Sequence, residues 1–281
     1  MLRIVTDGAA DMPVGWEKEY DIQVIPINIQ FGEKTYLQGV NLNNEDFYRL
    51  VEEGRKIPKT SQPSPFQFKK FYESVAKAGD SILSLHVTSK LSGTFDSALA
   101  AARELGDKFN IIPFDSGAGS AALGMMCREA RLMERAGAST QQIIERMYRI
   151  RHDVQIVLTV DKMDYALMSG RVGTLQAALA SALNIKPIIV LREGLLDVAE
   201  RVRTRSKAFD RVLELLHIQF AQEEVNVAAV HARDLPSAQN LLERARKVFN
   251  IKEHILTELS IAVAANLGPG TVGLIVYPTG V

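Results

Sequence analysis

The sequence predicts an α/β fold in two domains, the first built on a parallel sheet and the second on a mixed sheet. Three apolar runs rich in β-branched residues, at 4–5, 82–87 and 111–114, each end in small polar residues. Segments with helical spacing separate them, at 66–78 and 95–105. A repeated order of strand, polar loop and helix is typical of a parallel sheet, whose ligands lie at the carboxyl ends of the strands.

Two helix starts are marked by capping boxes. Ser64 is followed by Pro65 at the first helical position and by Gln67 at the third, which pairs an N-cap hydroxyl with a glutamine side chain. Ser139 and Gln142 repeat this spacing further along the chain. We therefore expect one helix to begin directly after Ser64 and another directly after Ser139.

The second half of the chain favours a mixed sheet. Residues 156–160 are typical of a strand, and 185–191, followed by a charged turn with glycine, are typical of one arm of a hairpin. Another buried strand is predicted at 225–231, between two helices. These features indicate an N-terminal domain at 1–152 and a C-terminal domain at 153–281.

The last 23 residues, 259–281, contain no charged side chain and are long enough to resemble a membrane span. Asn266 and the turn Gly268-Pro269-Gly270 interrupt them and leave two apolar runs, at 261–265 and 272–277. We interpret these runs as two buried strands joined by a loop. The amino terminus lacks the apolar region of a signal peptide. The sequence therefore predicts a cytoplasmic protein with no integral membrane association.

Composition and motif content exclude several function classes. The 33 basic side chains balance 33 acidic ones, whereas a dedicated nucleic-acid binder usually carries a basic excess. The single cysteine, Cys127, permits no internal disulfide and indicates a reducing compartment. There is no phosphate-binding P-loop, no GxSxG elbow and no HExxH motif, and Gly117-Ala118-Gly119 lacks the third glycine of a dinucleotide fingerprint. We predict neither a cofactor nor a metal site.

Two hydroxyl-rich segments, 59–65 and 88–94, are candidates for binding an anion. Each is predicted to be a loop leading into a helix, where free backbone N–H groups and the helix dipole favour negative charge. Their hydroxyls add neutral donors, and Gly93 allows a close approach of backbone to ligand. Ser64 and Ser92 also fit plain N-caps. Because both segments lie at the ligand-binding edge of one predicted sheet, Thr60 and Ser92 remain candidate ligands.

A catalytic alternative uses His86, six residues before Ser92, as a base for a nucleophilic serine. The protein would then be a serine-dependent acyl hydrolase. His86 lies inside a predicted strand between Leu85 and Val87, which favours a packing role, and no orienting acid can be identified by spacing. The hydrolase is therefore the second hypothesis.

A basic run at 201–207 places four cations, Arg201, Arg203, Arg205 and Lys207, at every second residue. On a strand these side chains share one face. The run is either a solvated strand face that continues into a helix or a docking surface for an acidic partner.

Eight short segments spread along nearly the whole chain form a specific ordered set. They are Thr6-Asp7-Gly8-Ala9-Ala10-Asp11-Met12-Pro13, Ile25-Pro26-Ile27, Lys59-Thr60-Ser61-Gln62-Pro63-Ser64, Leu91-Ser92-Gly93-Thr94, Asp115-Ser116, Gly170-Arg171-Val172, Leu183-Asn184-Ile185-Lys186-Pro187 and Gly268-Pro269-Gly270. Together they resemble the DegV family of bacterial fatty-acid-binding proteins. Gly8 stands where the family commonly has serine, and Asn266 stands where it often has histidine before the GPG turn.

The resemblance implies a DegV-like fold with a Rossmann-like N-terminal domain and one long-chain fatty acid, such as palmitate, held between the two domains. It implies that Thr60 and Ser92 hold the carboxylate, with Ser61, Gly93 and Asn266 beside it. It also implies a carrier without turnover, which in some bacteria presents the acid to a fatty-acid kinase subunit; the run at 201–207 is the candidate docking region. Apolar residues of the second half are candidates for the acyl-chain tunnel, namely Leu158, Met163, Met168, Leu179, Leu183, Ile185, Ile188 and Ile189.

Overall fold

The computed structural model describes residues 1–54, 57–172 and 185–279. The chain forms two compact units, one of Met1–Arg151 with Ser260–Ala262 and one of His152–Leu259 with Val263–Val281. One unit carries a parallel sheet and the other a mixed sheet, so the α/β class predicted from the sequence is confirmed.

The elements of the first unit follow the predicted alternation. Its strands are β1 (Leu2–Asp7), β2 (Ile22–Ile25), β3 (Asn28–Phe31), β4 (Lys34–Leu37), β5 (Lys59–Ser61), β6 (Ser81–His86) and β7 (Asn110–Asp115). Its helices are α1 (Trp16–Glu19), α2 (Asn44–Gly54), α3 (Pro65–Val75), α4 (Thr94–Glu104), α5 (Ser120–Arg135) and α6 (Thr140–Asp153), the last of which ends just past the boundary. Both predicted capping boxes are present, at Ser64 with Gln67 and at Ser139 with Gln142.

The first unit contains two sheets. Strands β1, β2, β6 and β7 are parallel and lie in the order β2-β1-β6-β7, while β3, β4 and β5 form a small antiparallel sheet in the order β4-β3-β5. Because β1 and β6 are the central pair, their carboxyl ends at Asp7 and His86 are neighbours. Helices α3 and α4 contribute to one buried cluster with the sheet, which includes Val5, Phe68, Tyr72, Ile82, Ala98 and Ala101.

The second unit is built on one mixed sheet of six strands. These are β8 (Gln155–Thr159), β9 (Lys186–Arg192), β10 (Leu195–Val202), β11 (Glu224–His231), β12 (Asn250–Glu258) and β13 (Val272–Pro278), in the order β10-β9-β8-β13-β11-β12. The described helices are α7 (Asp164–Ser169), α8 (Arg205–Phe220), α9 (Leu235–Ala245) and α10 (Ile261–Leu267), of which the first two residues of α10 belong to the first unit. The predicted hairpin is the antiparallel pair β9–β10, and β11 lies between α8 and α9 as expected.

The uncharged last segment differs from its prediction in one half. The run at 272–277 is a strand, but Ile261–Leu267 is a helix and not a second strand. Three alanines favour the helix, and β13 is already paired on both edges, with β8 and with β11, so no place beside it is open. Among the described residues, no helix has the length and apolar character that a membrane crossing requires.

The basic run at 201–207 does not lie on one strand face. Strand β10 ends at Val202, and the Thr204 hydroxyl caps α8 by accepting the Lys207 N–H at 3.2 Å. Arg205, now on the helix, donates to Asp234 Oδ2 at 2.6 Å and to Gly270 O at 2.7 Å. The prediction of a shared strand face is wrong because the N-cap at Thr204 ends the alternation of side chains.

The loop after β1 lies directly on α5 at Gly124. A Cβ atom at Gly124 would be 2.3 Å from Asp11 O and 2.7 Å from Met12 Cγ. A side chain larger than hydrogen therefore has no room at this position, which holds the loop containing Asp11 against the helix.

Gly124→Ala is expected to lower the free energy of unfolding by about 2 kcal/mol, since overpacking costs up to about 3 and better helix propensity returns about 1. The measurement is urea denaturation followed by circular dichroism. Gly106→Ala is the matched control, because its Cβ would be at ordinary contact distance from two backbone oxygens, Arg103 O at 3.5 Å and Ala102 O at 3.8 Å. Equal stability of the two variants would contradict the close approach at Gly124.

Candidate carboxylate-binding site

The first hydroxyl-rich segment contains a short strand where the sequence predicted only a loop. Thr60 is the middle residue of β5 and lies opposite Ile29 of β3. The side-chain amide of Asn28 donates to Gln62 O at 3.2 Å. The strand pairing and this hydrogen bond place Thr60, which is half-buried, and Ser61, which is exposed, at the edge of the small antiparallel sheet.

The second segment lies between β6 and α4, and Ser92 is not the N-cap of the helix. Gly93 occupies the N-cap and Ser92 precedes it. The Ser92 Oγ atom is 2.8 Å from Thr94 Oγ1 and accepts the Thr94 N–H at 3.3 Å. Ser92 is half-buried, so its hydroxyl is both locally anchored and reachable from solvent.

Gln62 joins the two segments. A Cβ atom at Gly93 would lie 2.6 Å from Gln62 Nε2 and 3.2 Å from Gln62 Cδ, so the glutamine side chain lies directly on Gly93. The structure thus brings the Thr60 segment and the Ser92 segment into contact. Sequence reasoning missed Gln62; the available signal was an amide side chain in the middle of a hydroxyl-rich segment.

The loop after β6 is held on one side by the buried carboxylate of Asp7. Asp7 Oδ2 accepts the Val87 N–H at 3.0 Å, and Oδ1 accepts the Ala9 N–H at 2.9 Å. One side chain at the end of β1 therefore organises the backbone that follows both central strands. On the other side, Asp115 at the end of β7 accepts the Ser89 hydroxyl at 2.6 Å and its N–H at 3.2 Å.

His86 belongs to a buried chain of hydrogen bonds that does not include Ser92. Its Nδ1 atom lies 3.0 Å from Asp7 Oδ2, and its Nε2 atom lies 2.7 Å from Ser84 Oγ, which is 2.9 Å from Tyr72 OH. Because Asp7 is an acceptor, Nδ1 donates, and Nε2 of a neutral ring accepts from Ser84.

The predicted pair of Ser92 with His86 is therefore not formed, because both ring nitrogens have other partners. The acid that spacing could not identify is Asp7, 79 residues before His86. Asp7, His86 and Ser84 have the order of a hydrolase relay, but each is 0% exposed, so a substrate carbonyl cannot reach Ser84 in this arrangement.

Asp11 is a second buried carboxyl in the loop after β1. Its Oδ2 atom accepts the Ser120 hydroxyl at 2.5 Å, and its Oδ1 atom accepts the Ser260 N–H at 2.7 Å. Burial raises the pKa of Asp11 to about 6; the hydrogen bonds from Ser120 and Ser260 oppose the shift, and the charge of Asp7 adds to it.

Asn266 lies on α10, in the portion assigned to the second unit. Its Oδ1 atom accepts a hydrogen bond from Arg171 Nη1 at 3.3 Å, and the same Arg171 nitrogen donates to Ser169 O at 2.9 Å. The GRV and GPG motifs of the sequence are thus linked through Asn266. Across the described ranges, no group of three or more His, Cys, Asp or Glu side chains is placed to hold a metal ion.

The tunnel candidates differ in their surroundings. Leu158, Ile188 and Ile189 are buried, and Ile188 belongs to the large core cluster of the second unit. Met168 is 66% exposed and therefore is not part of that core. Leu179 and Leu183 lie outside the described residues.

The raised pKa of Asp11 predicts a specific pH dependence of stability. The stabilisation that protonated Asp11 gives the folded state is fully present below pH 3.8, the pKa of this side chain in the unfolded chain. This stabilisation, about 3 kcal/mol in the free energy of unfolding, is lost as the pH rises through about 6. Asp11→Asn, which cannot ionise, should remove this decline between pH 4 and pH 7 in urea unfolding. Asp107→Asn, at an exposed position, is the matched control and should keep the wild-type decline. Parallel pH curves for wild type and Asp11→Asn would contradict the assignment.

Comparisons with known proteins agree with the architecture. The DegV family model, described as "Uncharacterised protein, DegV family", matches residues 1–279. A fatty acid-binding protein of Thermotoga maritima is 30% identical over 278 residues, covering 97% of this chain and 96% of the relative. The structure of DegV from Bacillus subtilis, described as a fatty acid binding protein, has a TM-score of 0.88 and 28% identity over 99% of each chain. The structure of a fatty acid-binding DegV family protein from Thermus thermophilus has a TM-score of 0.90 and 29% identity over 99% of each chain. The chain belongs to the DegV family.

Proposed function

We propose that the protein is a cytoplasmic carrier that binds one long-chain fatty acid, such as palmitate, and does not transform it. Thr60 and Ser92 hold the carboxylate, with Ser61 and Gly93 beside them. The observation that carries this proposal is the contact of Gln62 with Gly93, which joins the two hydroxyl-rich segments. The fatty acid-binding relatives support the class of ligand.

The proposed head-group site relies on neutral donors. Hydroxyl and amide groups donate to a carboxylate without carrying charge, and a hydrogen bond to an ionised group contributes about 1.5–3 kcal/mol. Partial exposure of Thr60 and Ser92 leaves the free site hydrated, so part of that contribution offsets lost water contacts. The donors therefore orient the carboxylate more than they determine affinity.

The acyl chain supplies most of the binding free energy. Burying one methylene is worth about 0.8 kcal/mol, so the roughly 14 methylenes of palmitate supply about 11 kcal/mol before the entropic costs of association. A variant that loses one head-group donor should consequently bind the fatty acid more weakly but still measurably.

A carrier of this kind needs a separate enzyme for any reaction of the acid. We propose that it presents the carboxylate to a fatty-acid kinase catalytic subunit, which docks on the exposed cations Arg201, Arg203 and Lys207. Arg205 is not counted with them, because it is engaged with Asp234 and Gly270.

Ser92→Ala and Thr60→Val are each expected to weaken palmitate binding by about tenfold, since each removes one hydrogen bond to an ionised group. The measurement is titration of delipidated protein with palmitate. Two variants serve as matched controls and should keep wild-type affinity: Thr35→Val, on the same small sheet, and Ser139→Ala, at the cap of α6.

Organic extraction of the purified protein should also yield about one fatty acid per chain, identified by mass spectrometry. Wild-type affinity in both head-group variants would reject Thr60 and Ser92 as ligands. Absence of extracted lipid together with no binding of added palmitate would reject the fatty-acid carrier itself.

Charge reversal at the proposed docking surface is tested in a triple variant with Arg201, Arg203 and Lys207 changed to Glu. In an extract of the source cells, it is expected to reduce ATP-dependent phosphorylation of bound palmitate about tenfold, because complementary charge guides docking. Acyl phosphate is trapped with hydroxylamine and quantified, and palmitate affinity is measured in parallel and should not change. The matched control carries Lys34, Lys77 and Lys247, all exposed, changed to Glu. Equal losses in the two triple variants, or no phosphorylation with wild type, would contradict presentation through this surface.

A further inference from the structure

The surface of the first unit has an open, shallow cavity of about 310 Å³ that none of the proposed head-group residues lines. Ile25 and Pro26, which follow each other at the end of β2, form one wall, and Leu37 of β4 and Phe71 of α3 complete the apolar surface. The volume is at the lower end of the range of about 300–1,000 Å³ for ligand pockets. It equals the liquid volume of roughly ten water molecules, which suits a compound with one ring and not a long acyl chain.

Three polar side chains of α3, Gln67, Lys70 and Ser74, line the same cavity. Gln67 and Lys70 are spaced i and i+3, so they share a face of the helix. The Gln67 Oε1 atom already accepts the Ser64 N–H at 2.8 Å in the capping box. The Ser74 hydroxyl already donates to Phe71 O at 2.7 Å. The amide NH₂ of Gln67 and the ammonium of Lys70 are therefore the donors that this helix offers to a ligand.

Lys70 differs from the charged side chains around it because it is not part of an ion pair among the described residues, and Glu73, with which it interacts at longer range, is paired with Lys108. Lys69 forms an ion pair with Glu104, and Glu73 pairs with Lys108 at 2.9 Å. Within the described ranges, no carboxylate forms an ion pair with Lys70, whose Nζ atom lies 5.6 Å from the centroid of the Phe66 ring. Phe66 also lines the cavity and is 66% exposed.

We propose that this cavity binds a small aromatic monocarboxylate. The carboxylate would accept from Lys70 and Gln67, which supply one charge and one neutral amide donor. The ring would pack between Phe66 and Phe71 and against the apolar wall of β2 and β4, because aromatic rings favour edge-to-face and offset contacts with one another. This ligand site does not depend on the proposed fatty-acid function.

The probe is 4-fluorophenylacetate, titrated into the full chain saturated with palmitate and followed by fluorine NMR. Lys70→Gln and Phe66→Ala are each expected to weaken binding about fivefold, through the lost charge and the lost ring contact. Lys69→Gln, the adjacent paired lysine, is the matched control and should bind within about twofold of wild type. The uncharged analogue 2-(4-fluorophenyl)ethanol should bind about fivefold more weakly than the acid.

Three results would overturn the proposal. The first is no change of the fluorine signal up to about 10 mM probe, a concentration that reveals even millimolar affinity. The second is equal affinity of wild type and Lys70→Gln. The third is binding that is lost in Ser92→Ala while Lys70→Gln keeps it, because the probe would then occupy the head-group site. Far-UV circular dichroism establishes that each variant is folded.

Discussion

The buried carboxylate of Asp7 holds together the edge of the sheet on which the candidate site is built. It ends β1 and accepts N–H groups from Val87, which follows β6, and from Ala9 in its own loop. It also accepts from His86, whose other nitrogen leads to Ser84 and Tyr72. An unpaired buried carboxylate is costly, so the loops are constrained to the conformations that supply these donors.

Two other carboxylates at the same edge of the sheet also accept hydrogen bonds from neutral donors. Asp11 accepts from the Ser120 hydroxyl and the Ser260 N–H, and Asp115 accepts from Ser89 and the Gly117 N–H. In the described part of the chain, the donors to these three carboxylate side chains are hydroxyls, backbone amides or the imidazole of His86. Neutral donors stabilise a buried anion through directed hydrogen bonds, without the desolvation of a second charge. A fatty-acid carboxylate held by Thr60 and Ser92 would follow the same physical rule.

The departure at Gly8 from the serine common in the family has a local physical reason. A Cβ atom at Gly8 would lie 2.9 Å from Gln38 Nε2, which donates to Gly8 O at 2.8 Å. The other end of the same amide accepts the Ala262 N–H at 3.1 Å, near the start of α10. Gly8 and Gln38 therefore form a matched pair, in which a larger side chain at position 8 would displace the amide.

The sequence by itself determined the α/β class, the capping boxes at Ser64 and Ser139, the β9–β10 hairpin and the two hydroxyl-rich segments, because periodicity, caps and turns are local properties of the chain. It did not predict the helix at Ile261–Leu267, because the pairing of β13 with β8 on one edge and β11 on the other is a property of the tertiary structure. It also missed Asp7 as the partner of His86 and Gln62 as the neighbour of Gly93. Both contacts join residues distant in sequence, and a sheet order such as β2-β1-β6-β7 is needed to bring the ends of β1 and β6 together.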